Sequence, residues 1–462
     1  MEKMISPSRT YEPMSGRSRL EEDVLAEVRP GAKEQRAIDR AVASLEAALR
    51  KEIERERLRA ETILVGSIAK GTHLLDPDID MFILFPPETS RADLETTGLR
   101  LARAVMHGEE RYAEHPYLHG THEGLEVDIV PSYKIDSPDS KMTAVDRTPF
   151  HTAFVKGRIT EPQRDEVRLL KRFMKGVGVY GAEARYQGFS GYLVELLVLK
   201  YGSFRGVLGA AKGWQHGERI TLTEKKGTAF NEPLVVIDPV DAGRNVASAV
   251  SAQRMGELIQ AAHDYIAKPA RKFFFPNPRK PLSHEELRDL AKRRGTYLMA
   301  LVFPAPHLTE DVLWPQARKG ERRIASILGQ YDFRVIDHEL FIDESVGIVF
   351  ELESGSLPPV LRHDGPPAAN ENSQDFVGKW RASRGTISPP FLHEGRWYVE
   401  IQRKYREPVK LLSSVLSSLD LGKNLNGPIR KDGKVLDHAQ LLGGGHGTLL
   451  SALLDKRLPW EI

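Results

Sequence analysis

The chain has 462 residues, 40% of them hydrophobic, and its formal net charge is only +2. This length predicts two to four domains, and so small a charge means that any surface for nucleic acid must be local. The absence of cysteine excludes disulfides and thiolate metal sites and fits a reducing compartment. The amino terminus has no apolar core of signal-peptide length, and no apolar run reaches the roughly 20 residues of a membrane span. We therefore expect a cytoplasmic protein that makes no membrane contact.

Residues 1–30 are polar, and we expect them to form a mobile amino-terminal extension. The stretch from 33 to 60 lacks proline and glycine and repeats apolar residues at helical spacing, which predicts one amphipathic helix. Further strands and a second helix should follow. They are the strands 61–65, 80–86, 111–118 and 124–133 and the helix 91–106. This order predicts a small α/β unit in which the two strands that carry acidic residues are central.

A glycine-serine turn and three aspartates make this unit a candidate nucleotide site. Gly66 and Ser67 follow an apolar strand, where backbone amides and the serine hydroxyl can donate to phosphate oxygens. Asp78 and Asp80 share one face of the next strand, because side chains alternate along an extended chain. Asp128 lies in a second strand, and several carboxylates holding magnesium are typical of two-metal phosphoryl transfer. Either half alone is more often an ordinary turn or a solvated loop, so the prediction depends on their joint occurrence.

The segment 132–151 leaves this unit and is polar and turn-rich. Its last part, AVDRTPFH, brings Asp146, Arg147 and His151 together beside a proline. Such a cluster of hydrogen-bonding groups is more typical of a well-tied linker than of a binding site. These residues alone therefore leave the role of His151 open.

A mainly helical region is predicted from 164 to about 267. Lys171 lies on the apolar stripe of its first helix, where it can either extend its amine to solvent or reach inward to a triphosphate. Tyr180 follows this helix and suits packing as well as stacking. Glu195 falls in the middle of the apolar helix 189–201, and we expect it to hold the structure together.

A strand, a turn and the start of a helix are predicted at 234–251. Turn chemistry explains Asp238 and Asp241. Arg244 stands next to Asn245. Its guanidinium fork suits the carbonyl and ring acceptors of a base edge, so this corner is a second candidate for nucleotide contact.

The composition changes beyond residue 268, and the segment 269–282 is predicted to cross between domains. A further α/β unit should follow, with the strands 297–303, 333–343 and 346–353 and the helix 314–328. Charged helix faces are usually only solvated, yet repeated basic clusters also suit an RNA backbone. The same two interpretations apply to the segment 395–406, which alternates aromatic and basic side chains. The candidate RNA contacts are Arg293, Arg294, Arg318, Arg322, Arg403 and Lys404.

A series of sequence blocks resembles the archaeal CCA-adding enzymes, the class I tRNA nucleotidyltransferases. The Gly-Ser turn with Asp-x-Asp belongs to the broad polymerase β superfamily, whereas AVDRTPFH together with DPVD and RN is far more specific. The resemblance covers nearly the whole chain. The blocks are VGSIAKGT with DID, RYAEHPY, LEVDIVPSYK, AVDRTPFH, EVRLLKRFMK with VYGAE, GFSGYLVELL, DPVDAGRNVA, GRWYVEIQRK and LGKNL.

The resemblance implies template-independent addition of C, C and A to the 3′ end of tRNA, from CTP and ATP with Mg²⁺. It implies that Asp78, Asp80 and Asp128 form the catalytic, metal-binding triad, and that Arg244 recognises the nucleobase. Asp78 stands where the family is expected to have glutamate, and Lys70 where arginine is common. Both keep their charge, so activity should survive, although the shorter Asp78 side chain can alter metal geometry. The other implied nucleotide-binding residues are Gly66, Ser67, Lys70, His151, Lys171 and Tyr180.

On this interpretation Asp78 and Asp80 hold magnesium on the triphosphate, and Asp128 helps to bind the ion that activates the tRNA 3′-hydroxyl for attack. The expected fold combines α/β and α+β domains: a small nucleotidyltransferase-type mixed sheet with helices, a helical central domain, and a carboxyl-terminal α/β RNA-binding region. That region would grip the tRNA acceptor arm by shape and phosphates. The expected domains are a polar extension at 1–30, a catalytic domain at 31–151, a helical nucleotide-recognition domain at 152–268, a tRNA-binding body at 269–375 and a tRNA-binding tail at 376–462.

Two rival functions stay open. A poly(A)- or oligoadenylate-type polymerase with the same triad would extend RNA repeatedly with one nucleotide. A catalytically silent RNA-binding relative is the other rival, and three intact carboxylates after a Gly-Ser turn argue against it. The sequence determines neither the oligomeric state, for which a homodimer is one option, nor the roles of Asp146, Asp238 and Asp241.

Overall fold

A five-stranded mixed sheet holds the acidic strands expected from the sequence. In the computed structural model, which describes residues 16–112, 115–224 and 227–462, this sheet lies in the first of two compact units. The strands of this unit are β1 (Glu61–Leu64), β2 (Ile79–Phe85), β3 (Gly108–Tyr112), β4 (Pro116–His122), β5 (Leu125–Tyr133), β6 (Glu218–Ile220) and β7 (Leu234–Val236). Its helices are α1 (Arg19–Val28), α2 (Ala32–Arg55), α3 (Gly66–Lys70), α4 (Arg91–Val105), α5 (Thr148–Lys156), α6 (Glu161–Gly176), α7 (Gly191–Tyr201), α8 (Phe204–Ala211) and α9 (Ala252–Ala267).

The sheet packs its main hydrophobic core on one face and carries its acidic residues, beside a small apolar cluster, on the other. Its strand order is β1-β2-β5-β4-β3, and β2 and β5 pair in parallel. Alternate residues of β2, such as Ile79 and Met81, are buried in a core shared with α2 and α4. Asp80 and Phe82 point to the opposite side because side chains alternate along a strand. The fold thus leaves the face that carries Asp80 away from these two helices.

The predicted elements of this sheet are confirmed with one exception. The helices expected at 33–60 and 91–106 correspond to α2 and α4, and three of the four expected strands correspond to β1, β2 and β5. The single strand expected at 111–118 is wrong, since the chain forms there a hairpin of β3 and β4, paired antiparallel from Gly108 to Gly120. Most of β3 is exposed, so no apolar alternation marks it in the sequence.

The expectation of a polar extension up to residue 30 is wrong from Ser18 onward. A capping box starts α1, in which Ser18 accepts from the backbone N–H of Glu21 and the Glu21 carboxylate accepts from that of Ser18. Val24, Leu25 and Val28 are buried in the core of the helical region. Three apolar residues on one narrow stripe were hidden by the polar composition around them. Residues 1–15 lie outside the described part of the chain.

The mainly helical region expected from 164 to 267 is confirmed as α6 to α9, joined by the parallel pair of β6 and β7. The residues of the predicted apolar stripe on α6 are fully buried in its core. Phe273 and Phe274, from the segment expected to cross between domains, belong to the same core, as does Trp460. The first unit accordingly extends to Pro278 and includes Leu458–Ile462.

The second compact unit comprises Arg279–Arg457 and confirms the expected α/β character. Its strands are β8 (Tyr297–Pro304), β9 (Val335–Ile342), β10 (Ser345–Leu352), β11 (Val360–Pro367), β12 (Thr386–His393), β13 (Arg396–Gln402) and β14 (Lys434–Leu436). Its helices are α10 (His284–Arg294), α11 (Glu310–Gln330), α12 (Ser373–Arg381), α13 (Pro408–Val415), α14 (Asn426–Asp432), α15 (His438–Leu442) and α16 (Gly447–Leu454). One sheet has the order β14-β8-β10-β9 and the other β11-β13-β12. Among the described residues of both units, every helix falls short of the length or the apolar character that a membrane crossing needs.

The expected boundary after residue 375 and the expected extent of the tail do not coincide with the fold. The boundary between 375 and 376 falls inside α12, where the ring of Phe376 stacks on His363 of β11 with 6.1 Å between ring centroids. The last five residues, expected in the tail, belong to the first unit. At the position where a boundary was expected, the chain thus packs a helix onto a sheet.

Candidate active site

One cavity of about 580 Å³ in the first unit collects every residue predicted to bind metal or nucleotide. The face of the sheet that carries Asp80 contributes one side, and α5, α6 and α7 contribute the others. Segments that are distant in the sequence meet here because the helical region packs over this face. The predicted residues that line the cavity are Gly66, Ser67, Lys70, Asp78, Asp80, Asp128, His151, Lys171, Tyr180 and Arg244.

Two of the carboxylates predicted to be catalytic lie in a row across neighbouring strands. Asp80 of β2 is the register partner of Asp128 in β5, and Asp128 is in turn the partner of His119 in β4. Register partners point to the same face of a sheet, so these three side chains stand side by side. The Nδ1 atom of His119 lies 2.7 Å from Oδ1 of Asp128. Sequence reasoning missed His119, because only the strand register brings it beside Asp128.

The charge of this row fits a cation. Burial, together with the like charges of Asp128 and Asp78, raises the pKa of Asp80 to about 7. A cation bound here would relieve the repulsion, and carboxylate oxygens are the ligands that Mg²⁺ prefers. Among the described residues, no three His, Asp or Glu side chains are already arranged to hold a metal ion. The charge and oxygen atoms of this row thus fit a divalent cation in chemistry, whereas the side chains in their present positions do not form a ligand set for one.

The glycine-serine turn brings the backbone against Asp80. Gly66 has a φ of +71°, in the left-handed region that favours glycine, and lies too close to Asp80 for any Cβ to fit. The backbone N–H of Val65 donates to the carbonyl oxygen of Asp80 at 3.0 Å. Ser67, the next residue, lines the cavity. The turn identified from the sequence is thus a backbone approach that needs glycine.

Lys70 and Lys171 form a basic side of the cavity and share a buried partner. Nζ of Lys70 donates to Oε2 of Glu195 at 2.5 Å, and Nζ of Lys171 lies 3.7 Å from Oε1 of the same carboxylate. Lys171 also donates to the backbone oxygen of Thr72 at 3.1 Å. Glu195 is 0% exposed, which confirms that it holds the structure together. Lys171 points inward, and two ammonium groups against one carboxylate leave net positive charge beside the acidic row.

Tyr180 lines the cavity just after α6. Its backbone bridges to Phe189, which fixes it beside the start of α7. Burial raises the pKa of the Tyr180 phenol above its usual range, so the hydroxyl stays a neutral hydrogen-bond donor. Lys175, which the sequence did not single out, places Nζ 5.3 Å from the centroid of the Tyr180 ring.

The opposite part of the site is built around Asp238, whose side chain is buried. The Asp238 carboxylate accepts from Nε2 of His151 at 2.9 Å and from Nη1 of Arg244 at 3.0 Å. The imidazole of His151 stacks on the ring of Tyr192, with 4.2 Å between ring centroids. His151 therefore lines the site rather than serving only as linker. Tyr192 was missed because it sits in an otherwise apolar helix pattern.

Asp146 and Asp241 hold loops in place, which answers a question the sequence left open. Asp146 is 0% exposed and accepts from the backbone N–H of Thr143 at 2.7 Å and the hydroxyl of Ser132 at 2.8 Å. Asp241 accepts from Nη1 of Arg147 at 3.1 Å. Both carboxylates thus fix the AVDRTPFH segment, from which α5 and His151 follow.

Three further residues line the cavity with buried polar atoms that have no hydrogen-bond partner in the described structure. These atoms are both ring nitrogens of His115, Nε of Arg147 and Oγ1 of Thr152. Buried polar atoms are nearly always paired in native proteins, so these are suited to pair with a bound polar ligand. His115 falls in the RYAEHPY block, and that family match was its signal in the sequence.

The candidate RNA contacts lie in the second unit and differ in their surroundings. Arg293 and Arg322 are exposed. Arg294 is exposed as well, but it forms a bidentate ion pair with the buried Glu351, with Nε and Nη2 at 2.5 and 2.6 Å from the two carboxylate oxygens. This guanidinium is committed to the fold. The remaining candidates are Arg318 over the Trp314 ring, Arg403 with Asp332, and Lys404 over the Tyr405 ring.

The following features define a nucleotidyltransferase, an enzyme that transfers a nucleotidyl group. They are the mixed sheet with carboxylates on adjacent parallel strands, the glycine-serine turn and the basic side of the cavity. Three family models match in the same order along the chain. They are the nucleotidyltransferase domain at residues 47–151, the second domain of tRNA nucleotidyltransferase at 165–275 and the carboxyl-terminal domain of the CCA-adding enzyme at 294–438.

The chain belongs to the CCA-adding enzyme family, and the resemblance inferred from its motifs is confirmed. It is 43% identical to the CCA-adding enzyme of Methanosarcina barkeri over 81% of this chain and 84% of that protein. It is 38% identical to the CCA-adding enzyme of Methanoregula boonei over 96% of this chain and 97% of that protein. It is 35% identical to that of Haloarcula marismortui, over 92% and 94% respectively. The similarity thus extends over both compact units.

Proposed function

We propose that this protein adds C, C and A to the 3′ end of tRNA without a template, from CTP and ATP in the presence of Mg²⁺. The observation that carries the proposal is the single cavity in which Asp78, Asp80 and Asp128 stand with Lys70 and Lys171. Acidic groups suited to metal and basic groups suited to a triphosphate are the two halves of a nucleotidyl-transfer site. Membership of the CCA-adding enzyme family supports the choice of tRNA as the acceptor.

The acidic row would hold the divalent cations through Asp78, Asp80 and Asp128. When bound, such ions neutralise charge on the triphosphate and lower the pKa of the attacking hydroxyl. The 3′-hydroxyl of tRNA attacks the α-phosphorus in line and loses its proton, and the bond to the β-phosphate oxygen breaks to release pyrophosphate. The chain needs no covalent intermediate, so its contribution is positioning and charge compensation.

The triphosphate would lie between the glycine-serine turn and the basic side. Ser67 and the backbone of its turn offer hydrogen-bond donors, and Lys70 and Lys171 offer positive charge. Tyr180 supplies a neutral hydroxyl donor. Since both lysines are already held by Glu195, little side-chain entropy is lost when phosphate binds.

The base would be read by Arg244. One of its nitrogens donates to Asp238, which leaves the rest of the guanidinium fork for acceptors on a Watson-Crick edge. A wrong base that leaves such a donor unpaired costs on the order of 1 to 3 kcal/mol for each lost hydrogen bond.

The second unit would contact tRNA through exposed basic residues such as Arg293 and Arg322. Contacts to phosphates and shape, without base readout, would allow one enzyme to serve many tRNAs. We further propose that the enzyme acts in the cytoplasm. A homodimer stays a prediction from the sequence.

The direct test is extension of a tRNA transcript that lacks its last three nucleotides, with CTP, ATP or both. We expect growth by C, C and then A for the wild type and for Asp76→Ala, and none for Asp80→Ala. Asp76 is an exposed aspartate in the segment just before β2, so it controls for a general loss of acidic charge. A long tail of one nucleotide would instead establish the polymerase rival. Binding of tRNA without extension would establish the silent relative.

A further inference from the structure

The carboxylate of Asp238 connects residues on separate elements of the nucleotide site. It is 0% exposed and accepts from Nε2 of His151 at 2.9 Å and Nη1 of Arg244 at 3.0 Å. The hydroxyl of Tyr192 at 3.3 Å and the backbone N–H of Val240 at 3.0 Å also reach it. His151, Tyr192 and Arg244 line the cavity, so Asp238 stands behind them and acts through them.

We propose that Asp238 is a positioning residue that couples the choice of base to the binding of the triphosphate. Its one carboxylate fixes the imidazole of His151 relative to the guanidinium of Arg244. A nucleotide then satisfies both groups only when its base and its sugar-triphosphate part lie at the separation that this pair sets. The inference rests on the proposed function, in which Arg244 contacts the base, and it adds that His151 contacts the sugar-triphosphate part.

His151 lies between the lysine side of the cavity, formed by Lys70 and Lys171, and Arg244, the proposed contact to the nucleobase. Its ring stacks on Tyr192, and the Tyr192 centroid lies 5.8 Å from Nζ of Lys70. Because Nε2 of His151 donates to Asp238, its other ring nitrogen is left for a nucleotide. The stack and the hydrogen bond together fix both the plane and the tautomer of the imidazole.

Arg244 is held from its backbone as well as from its side chain. The backbone N–H of Asp238 donates to the carbonyl oxygen of Arg244 at 3.1 Å, and the N–H of Arg244 donates to the carbonyl oxygen of Asp241 at 2.9 Å. The next residue, Asn245, is buried and accepts from the backbone N–H of Val236 at 2.8 Å. Backbone hydrogen bonds therefore hold the loop that carries Arg244, and the hydrogen bond to the Asp238 carboxylate orients its guanidinium.

The negative charge of Asp238 is essential to this arrangement. Hydrogen bonds between ionised partners are shorter and stronger than neutral ones, and a buried carboxylate is little screened by solvent. An asparagine keeps the shape of the side chain but replaces one acceptor oxygen by a donor. In the present geometry Oδ2 of Asp238 accepts from both His151 and Arg244, whereas Oδ1 accepts from Tyr192 and from the backbone N–H of Val240. Either orientation of an asparagine amide therefore sets its NH2 group against hydrogen-bond donors, which would loosen the fixed relation of His151 and Arg244.

The first test measures selectivity in Asp238→Asn. We expect the ratio of kcat/KM for CTP over UTP, and for ATP over GTP, to fall about tenfold, with a larger change in KM than in kcat. Tyr192→Phe, which removes a hydroxyl and keeps the stack, should change these ratios by less. The control is Glu21→Gln, because Glu21 is another buried carboxylate of the same unit that accepts from Arg205 and Tyr265. It should lower the melting temperature and leave the ratios unchanged.

The second test is a double-mutant cycle on the same ratios with His151→Ala and Arg244→Ala. In the presence of Asp238 the two changes should be non-additive by about tenfold, and in Asp238→Asn they should be additive. Additive effects with Asp238 present would overturn the inference, even if Asp238→Asn did not fold. Unchanged ratios in folded Asp238→Asn would overturn it while leaving the proposed function intact. Wild-type CCA addition with unchanged ratios in Arg244→Ala would instead remove the proposed role of Arg244, and the inference with it.

Discussion

A Cβ atom on Gly66 would lie 1.8 Å from Oδ2 of Asp80. The glycine-serine turn and the Asp80 carboxylate can therefore keep their present positions only when residue 66 is glycine. The φ of +71° at Gly66 imposes the same requirement independently. The contact with Asp80 and the backbone conformation both require glycine at residue 66, whether or not the turn binds phosphate. The glycine of this turn therefore also sets the position of the Asp80 carboxylate, which we propose to be catalytic.

Gly66→Ala should reduce nucleotidyl transfer by about 100-fold or more, because the displaced Asp80 no longer meets its neighbours in a geometry that positions the reactants. The left-handed conformation alone costs an alanine about 1 to 2 kcal/mol. Gly71→Ala is the matched control, since φ at Gly71 is +69° but an added Cβ would meet the flexible side chain of Arg164 at 3.2 Å. The measurement is kcat/KM for CTP with melting temperatures for both variants. Equal losses of activity in the two variants would show that backbone strain alone matters.

Asp80→Asn should stabilise the metal-free protein while abolishing activity. The pKa of about 7 in the folded state lies above the ordinary 3.8, so the folded state retains a proton that the unfolded state releases between about pH 4 and 7. The stability contributed by this group falls as pH rises through that window and stays low above it. At pH 8 the gain on removing the carboxylate should be no more than about 4 kcal/mol, at 1.36 kcal/mol per pKa unit.

Thermal unfolding at pH 5 and pH 8, with chelator or with Mg²⁺, tests this expectation for Asp80. Without metal, the variant should exceed the wild type at pH 8 and match it more closely at pH 5. Added Mg²⁺ should raise the wild-type melting temperature most at pH 8, where the carboxylates are ionised, and should have little effect on Asp80→Asn. Asp76→Asn serves as the exposed control. A variant no more stable than the wild type at pH 8 would contradict the raised pKa.

Affinity for the triphosphate should fall as pH rises through about 8. Burial, with the nearby charge of Lys70, lowers the pKa of Lys171 to about 8, although Glu195 opposes the shift. The amine loses its charge above that pH, which weakens binding by about tenfold, the value of one charge-assisted hydrogen bond. Between about pH 8 and 10.5 the unfolded state binds more protons at this group, so its contribution to stability rises with pH. As pH rises above about 8, the affinity for triphosphate should therefore fall while the ionisation of Lys171 does not lower the stability of the protein.

Calorimetric titration of the inactive Asp80→Asn variant with tripolyphosphate at pH 7, 8 and 9 measures this dependence without turnover. Lys171→Met in the same background should bind more weakly and show no inflection near pH 8. An unchanged dissociation constant between pH 7 and 9, with Lys171 present, would show that this amine does not contact the ligand or keeps its charge.

Periodicity predicted the fold wherever burial was continuous. The apolar residues of β2 and the stripe of α6 are buried as expected, because a strand or helix that faces a core must repeat apolar side chains at its own period. Two elements escaped for the same physical reason. The hairpin strand β3 is mostly exposed, and α1 buries only a narrow stripe, so polar residues dominate the local sequence of both.

The sequence predicted site residues that belong to short local motifs, but not those that only tertiary packing brings into the site. Asp80 and Asp128 stand on β2 and β5, and Asp78 lies immediately before β2 rather than on it, in the same short acidic motif as Asp80. The glycine-serine turn lies shortly upstream of this motif. His119 gains its place beside Asp128 through strand register, and Asp238 meets His151 through the packing of separate segments. Relations of that kind appear only when the tertiary structure is known.

Exposed and paired arginines of the second unit should behave differently toward tRNA. Arg322→Ala should weaken tRNA binding and lower the slope of log affinity against log salt concentration by about 1, because one phosphate contact is lost. Arg294→Ala should instead destabilise the protein by about 2 kcal/mol, since Glu351 is 0% exposed and would lose its bidentate partner.

Filter binding of tRNA from 50 to 200 mM salt, with melting temperatures of both variants, separates the two roles. A changed salt slope in Arg294→Ala, or an unchanged slope in Arg322→Ala, would reverse the assignment of these residues. Nucleotide binding should be unaffected in Arg322→Ala, because this residue belongs to the unit that does not contain the nucleotide cavity.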